Sequence, residues 1–146
     1  MKKQAGKISI KREKRDTILG DVLNHITQKR IIKLNKNEHL YRQFEPIKGI
    51  YYLVSGQIKV VQKDKDEKYR VLHSVKAPEL IGLASILYEE SYPNSAYSIE
   101  ESKIIFIPKK EFLEVLNENQ QITLDLMKLL CKTINKTEAQ IPQIVQ

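Results

Sequence analysis

Gly49-Ile50-Tyr51-Tyr52-Leu53-Val54-Ser55-Gly56-Gln57-Ile58-Lys59-Val60 reads as a strand, a tight turn and a second strand. Ile50 to Val54 are all bulky apolar or aromatic residues, the kinds that fit a pleated and at least half-buried surface. Ser55-Gly56 interrupts them with a residue that tolerates positive φ, and Gln57 to Val60 then alternates polar and apolar, as a strand with one buried face should.

Working outward, the same β-branched and aromatic signature recurs in short segments on both sides. After Gln57 to Gln62 a charged hairpin loop, Asp64-Lys65-Asp66-Glu67, leads to a strand at Tyr69 to Val75. Strands are expected also at Arg30 to Leu34, His39 to Arg42 and Lys103 to Pro108. The period is helical at the ends. Ile18, Leu19, Val22, Leu23 and Ile26 share one face of a helix over Asp16 to Gln28, with Asp16 or Thr17 as its cap. Past Pro108, which suits the start of a helix, a short helix is expected over Lys109 to Leu116 and a longer one over about Gln120 to Thr137, with Pro142 beyond it. The fold class is therefore α+β. It is an antiparallel β-roll or jelly roll, in the manner of a cupin-like double-stranded β-helix, flanked by one N-terminal and two C-terminal helices.

With 146 residues and 41% hydrophobic content, one core and one domain are expected, over residues 16–140, between a tail at 1–15 and a short one at 141–146. No apolar run approaches the roughly 20 residues of a spanning helix, and the opening Met1-Lys2-Lys3 is not followed by the apolar stretch of a secretory signal. A cytoplasmic protein without membrane contact is the expectation. The single cysteine, Cys131, excludes an internal disulfide and a four-cysteine metal site, and beside Leu129 and Leu130 it reads as a small core hydrophobe. Nearly all of the net charge of +7 sits in residues 1–15, where seven cations face Glu13 alone. Lys11, Arg12, Lys14 and Arg15 could grip a phosphate backbone, but no aromatic residue is interleaved for base stacking, and a solvated tail is the simpler reading.

The local sequence, more than the order of elements, carries a resemblance. The hairpin Gly49 to Val60 resembles that of the Crp/Fnr family. Pro78-Glu79-Leu80-Ile81-Gly82 stands where that family has its Pro-Gly-Asp/Glu-x-x-Gly turn, and Ser85-Ile86-Leu87 and Asn94-Ser95-Ala96 stand in its phosphate-binding cassette. Ile105 to Phe112 resembles its last strand entering the following helix. The resemblance spans roughly residues 16–140. It implies a bacterial sensor or regulatory domain with no catalytic activity, and a ligand pocket at Gly82, Leu83, Ala84, Ser85, Asn94, Ser95, Ala96 and Thr137. It also implies a homodimer joined along the long C-terminal helix through Leu126, Leu129, Leu130 and Ile134, with small-molecule effectors and DNA as partners.

The sequence departs from the family where the chemistry matters. Leu83 occupies the place of the glutamate that holds the ribose hydroxyl, and Asn94 that of the arginine that neutralises the phosphate; Pro78 replaces a glycine. Without a guanidinium the strongest phosphate contact is gone, so no cofactor is assigned and cyclic AMP is not expected to bind in the usual way. Backbone amides near Ser85 and Ser95 could hold an anion more weakly. The competing reading is a pocket filled by Leu83, Leu87 and Tyr97. The family's helix-turn-helix does not fit in the residues after Thr137, so DNA contact would come from a missing domain or from the tail.

Other constellations point away from catalysis. His25, His39 and His73 lie far apart and match no metal motif, Glu89-Glu90 and Glu100-Glu101 are adjacent only in sequence, and Ser55 and Ser85 lack a neighbouring histidine and acid. Three readings stand at this point. They are a Crp/Fnr-type sensor domain with a degenerate pocket, a stand-alone interaction domain for a protein or nucleic acid, and a metal-dependent barrel enzyme.

Overall fold

The computed structural model describes residues 20–140, with side chains through residue 132. The chain divides into a β unit, Thr27–Phe112, and a helical unit made of the segments on either side.

Eight strands build the β unit: β1 (Arg30–Leu34), β2 (His39–Tyr41), β3 (Gly49–Ser55), β4 (Gln57–Lys63), β5 (Tyr69–Lys76), β6 (Glu79–Ile81), β7 (Ser95–Ser98) and β8 (Ser102–Pro108). They form two four-stranded antiparallel sheets, ordered β1-β8-β3-β6 and β2-β7-β4-β5. The jelly-roll expectation holds, and the six strands read from sequence are all present. β6 and β7 were not foreseen as strands: at three and four residues they are too short to show a period, and both lay in segments read as turn or cassette.

Alternation decides which side chains enter the space between the sheets. In the first sheet Tyr51 pairs with Phe106 and Leu53 with Ile104; in the second, Val60 pairs with Ala96 and Ile58 with Ser98, and all of these are buried. Two buried serines hold turns to this core. The Ser98 hydroxyl donates to the backbone carbonyls of Asn35 and Glu38, and Ser102 Oγ donates to Glu100 O at 2.8 Å while accepting the Gln57 amide at 3.2 Å.

In the helical unit, α1 covers residues 20–24 among those described; α2 is the short helix Leu83–Tyr88 of the β unit, α3 is Lys109–Glu118 and α4 is Gln120–Gln140. The first helix stops short of the expected Gln28. The amides of His25 and Ile26 fold back to Val22 O and Leu23 O in a tightened last turn, and the Thr27 amide is taken by Glu111 Oε2 at 3.0 Å. Asn119 separates α3 from α4: its side-chain amide donates to Val115 O at 2.9 Å, and Thr123 Oγ1 closes on Leu116 O at 2.6 Å. Along α4, Ile122 and Leu126 are buried and Leu129 and Leu130 half-buried, whereas Leu124, Met127 and Cys131 are exposed. Cys131 is thus not a core residue: it falls on the face of α4 opposite to Leu126.

Candidate functional site

The cassette hangs from both sheets. β6 ends at Ile81, Gly82 turns the chain with φ at 91°, and α2 begins at Leu83. Leu83 and Ile86, three apart, are its buried residues; Ala84 is exposed and Ser85 half-buried. The segment that follows is laced to the loop after β2, through Ile47 N to Glu90 O at 3.2 Å, Phe44 N to Tyr92 O at 2.8 Å and Tyr92 N to Glu45 O at 3.0 Å. It delivers Asn94, Ser95 and Ala96 to the start of β7 in the second sheet.

The polar groups of this second half are already engaged. Asn94 Oδ1 accepts the Tyr41 hydroxyl at 3.3 Å, and the buried Ser95 Oγ accepts the Gln43 amide at 2.8 Å. Ala96 is fully buried between its neighbours Tyr41 and Val60. Tyr41 is stacked face to face on Tyr92, with ring centroids 3.8 Å apart and planes at 12°, and lies 6.0 Å from Tyr51, which in turn leans on Phe106 at 5.2 Å. The Arg30 guanidinium covers the Phe106 ring at 4.8 Å. The roll interior beside the cassette is therefore filled by aromatic rings.

Burial suppresses ionisation of all three tyrosines. It pushes the Tyr41 hydroxyl up to about 12, helped by Tyr51, and raises Tyr51 and Tyr92 as well. The Tyr92 hydroxyl is buried with no group in hydrogen-bonding geometry, although the Tyr51 hydroxyl and the Lys48 backbone lie near enough to influence it. Because a raised folded-state pKa favours the protonated form, stability from this cluster is intact below pH 10 and is lost as pH climbs from 10 through about 12, Tyr41 alone contributing about 3 kcal/mol. The tyrosinate absorbance of Tyr41, Tyr51 and Tyr92 should accordingly appear only as the circular dichroism of the fold collapses. A single smooth rise for all seven tyrosines near pH 10 would show that the cluster is not buried.

The filling differs from the expected one. Leu83 does point inward, but Leu87 is 48% exposed on α2, and Tyr97 lies on the outer side of the second sheet against His39, 5.8 Å between ring centroids. Sequence reading missed Tyr41, Tyr51 and Tyr92. Tyr51 stands on the inward phase of the decisive strand, and only the pairing of Tyr41 with Ala96 makes the stack visible. The side chains of Thr137 and Ile134, and the tail residues Lys11, Arg12, Lys14 and Arg15, lie outside the described residues. A shallow cleft of about 490 Å³ runs along β2, lined by residues 37–42 and Glu45. Its Glu38 and Glu45 carboxylates accept the amides of Asn35 and Arg42, both at 2.7 Å, and so hold turns. Among the described residues no group of three or more His, Cys, Asp or Glu is placed to hold a metal, and no helix is long and apolar enough to cross a membrane.

Residues 31–119 match the family model described as the cyclic nucleotide-binding domain. The chain belongs to that family. The structure of the sensor domain of the transcriptional regulator DNR from Pseudomonas aeruginosa superposes with a TM-score of 0.70 at 18% identity, covering 88% of this chain and 93% of that one. The anaerobic regulatory protein of Bacillus subtilis is 25% identical over 128 residues, 87% of this chain and 53% of that protein. A lysophospholipase, nte1, of Neurospora crassa is 23% identical over 99 residues, 68% of this chain but 6% of that protein. The chain thus spans about half the length, or far less, of these curated relatives. Its fold is that of the cyclic nucleotide-binding domain, and the DNR sensor domain shares it.

Proposed function

We propose that this chain is the sensor domain of a Crp/Fnr-like bacterial transcription regulator whose cassette has given up cyclic-nucleotide recognition. The observation that carries the second half of this reading is the hydrogen bond from the Tyr41 hydroxyl to Asn94 Oδ1, made by the same ring that stacks on Tyr92. A short neutral amide tied to a tyrosine stands where a guanidinium would meet phosphate, and Leu83 offers nothing to a ribose hydroxyl. Binding in the family's way would need both groups replaced and the stack moved. The regulatory half rests on the kinship just described, with relatives named as regulators among those that match over most of this chain. DNA contact belongs to segments outside the described residues. A homodimer along α4 is part of the same reading. Leu126 is buried within its own chain and Leu129 and Leu130 are half-buried, so the exposed stripe Leu124, Met127 and Cys131 supports a seam on that face.

Calorimetric titration with cyclic AMP and cyclic GMP at low salt tests the pocket, and no heat is expected at up to millimolar ligand. Micromolar binding would mean that backbone amides replace the missing arginine, and the closed cassette would be wrong. The filled interior also supports a ligand-free interaction domain. The two readings separate in a thermal-shift screen of small effectors. A stabilising compound that also perturbs α4 marks a sensor, and none across a broad screen favours the interaction domain.

A further inference from the structure

The outer face and open edge of the second sheet carry a charge pattern that neither the fold nor the cassette uses. Because Ile58 and Val60 of β4 point into the core, Lys59 between them points out, and its paired neighbours share that face. One row crosses all four strands as Ser74, Lys59, Tyr97 and His39. The row beside it pairs Gln57 with Lys76 on the same face, whereas Gln62 with Arg70, three residues on from Lys59, falls on the opposite face, so the two strands present Lys59 and Lys76 on one face and Arg70 on the other, with no carboxylate in these rows. Among the described residues none of the three forms an ion pair. Arg70 is positioned by Gln62 Oε1 at 3.1 Å. Two of the three nearby acids are occupied in the hairpin loop, where Asp64 Oδ1 accepts the amides of Asp66 and Lys68 and Glu67 pairs with Lys63 at 3.5 Å.

The strand that bounds this face is unusual as well. β5 is eight residues long, ends the sheet, and is exposed on both faces apart from the half-buried Val75. It therefore offers a row of main-chain donors and acceptors of the kind that natural edges generally blunt. A register shift around Val60/Val61, which leaves Leu72 as the extra residue, is the one irregularity in it.

We infer that β5 is a strand-addition site for an acidic, extended segment of a partner protein. The segment pairs main chain to main chain with Tyr69–Lys76 and sets carboxylates on alternate residues against Lys76 and, one strand in, Lys59, with Arg70 on the opposite face. A second copy is the wrong occupant, because β5 has no acidic residue and antiparallel self-pairing sets cation against cation. The chain's own first fifteen residues, with seven cations and one acid, are wrong for the same reason. A nucleic-acid strand would answer the charge but leave the main-chain edge unused.

The test uses the full chain, isotope-labelled, and a blocked eight-residue peptide alternating Glu with Val and Thr. Binding should weaken with salt, shift the amide resonances of residues 69–76 above all others, and disappear when the peptide's pairing amides are N-methylated. Reversing Lys59, Arg70 and Lys76 to Glu should weaken it about tenfold or more and transfer preference to the Lys-containing version of the peptide. The inference is overturned if the N-methylated peptide binds equally well, if the shifts lie elsewhere, if nothing binds at millimolar peptide, or if oligothymidylate binds this face and the acidic peptide does not displace it. The N-methylated peptide keeps the test decisive should the triple variant fail to fold.

Discussion

Gly56→Ala should destabilise the β unit by about 3–5 kcal/mol, from backbone strain at positive φ added to overpacking against neighbours that cannot move. Gly56 turns the chain between β3 and β4 with φ at 101°, where a side chain is strained whatever the room. Room is also lacking, since an added Cβ would stand 2.6 Å from Ser102 Cβ and 2.7 Å from Ser102 Cα. Ser102 cannot retreat without loss. It is 1% exposed, its hydroxyl bridges Gln57 N and Glu100 O, and it opens the strand that pairs with both β1 and β3. The methyl group thus levers apart the corner at which the two sheets exchange chain. Gly20 supplies the internal control: it lies in a helix with nothing within 4 Å of an added Cβ, and Gly20→Ala should be neutral or stabilising by up to about 1 kcal/mol. Urea unfolding of the pair decides the matter. A loss at Gly56 no larger than about 1 kcal/mol would mean that the turn relaxes and the strand register does not depend on it.

What could be read in the sequence follows the length of each element. β3, β4, β5 and β8, each seven or eight residues, show their pattern plainly, and their ends fall within a residue or two of the expected ones. β6 and β7 are too short for periodicity, and what makes them strands is pairing with β3, β2 and β4, a long-range effect that local residues do not encode. The same division runs through the site. That Asn94 and Leu83 stand where a charged pair is expected was legible at once, because it is a matter of residue identity at a position. That Tyr41 and Tyr92 fill the space was not, because they stand 51 positions apart and meet only through the folded loop contacts of Phe44, Glu45 and Ile47. Cys131 failed for a related reason. Helical period tells which residues share a face with Leu129 and Leu130 but not which face is turned inward, and burial of Ile122 and Leu126 fixes that turn.

The fixed turn of α4 leads to the prediction with the largest effect on assembly. Leu124 and Met127 are 45% and 56% exposed, and with Cys131 they recur at intervals of three and four, one stripe along a 21-residue helix. In a two-fold pairing each residue contributes twice, so Leu124→Glu with Met127→Glu buries four unpaired carboxylates at the seam and should weaken the dimer by about a hundredfold or more. Sedimentation equilibrium reads this directly, and near-native thermal stability of the isolated variant chain would show that the fold itself survives. Leu126→Glu should behave oppositely, costing the fold because Leu126 is buried in its own chain. If α4 pairs about such an axis, Cys131 faces its copy, and mild oxidation should give a covalent dimer that Cys131→Ser abolishes. Should Leu129 and Leu130 substitutions dissociate the dimer while the Leu124 and Met127 pair leaves it intact, the seam would follow the half-buried face that the sequence suggested. A wild-type chain monomeric at every concentration would instead leave the stripe to a different partner.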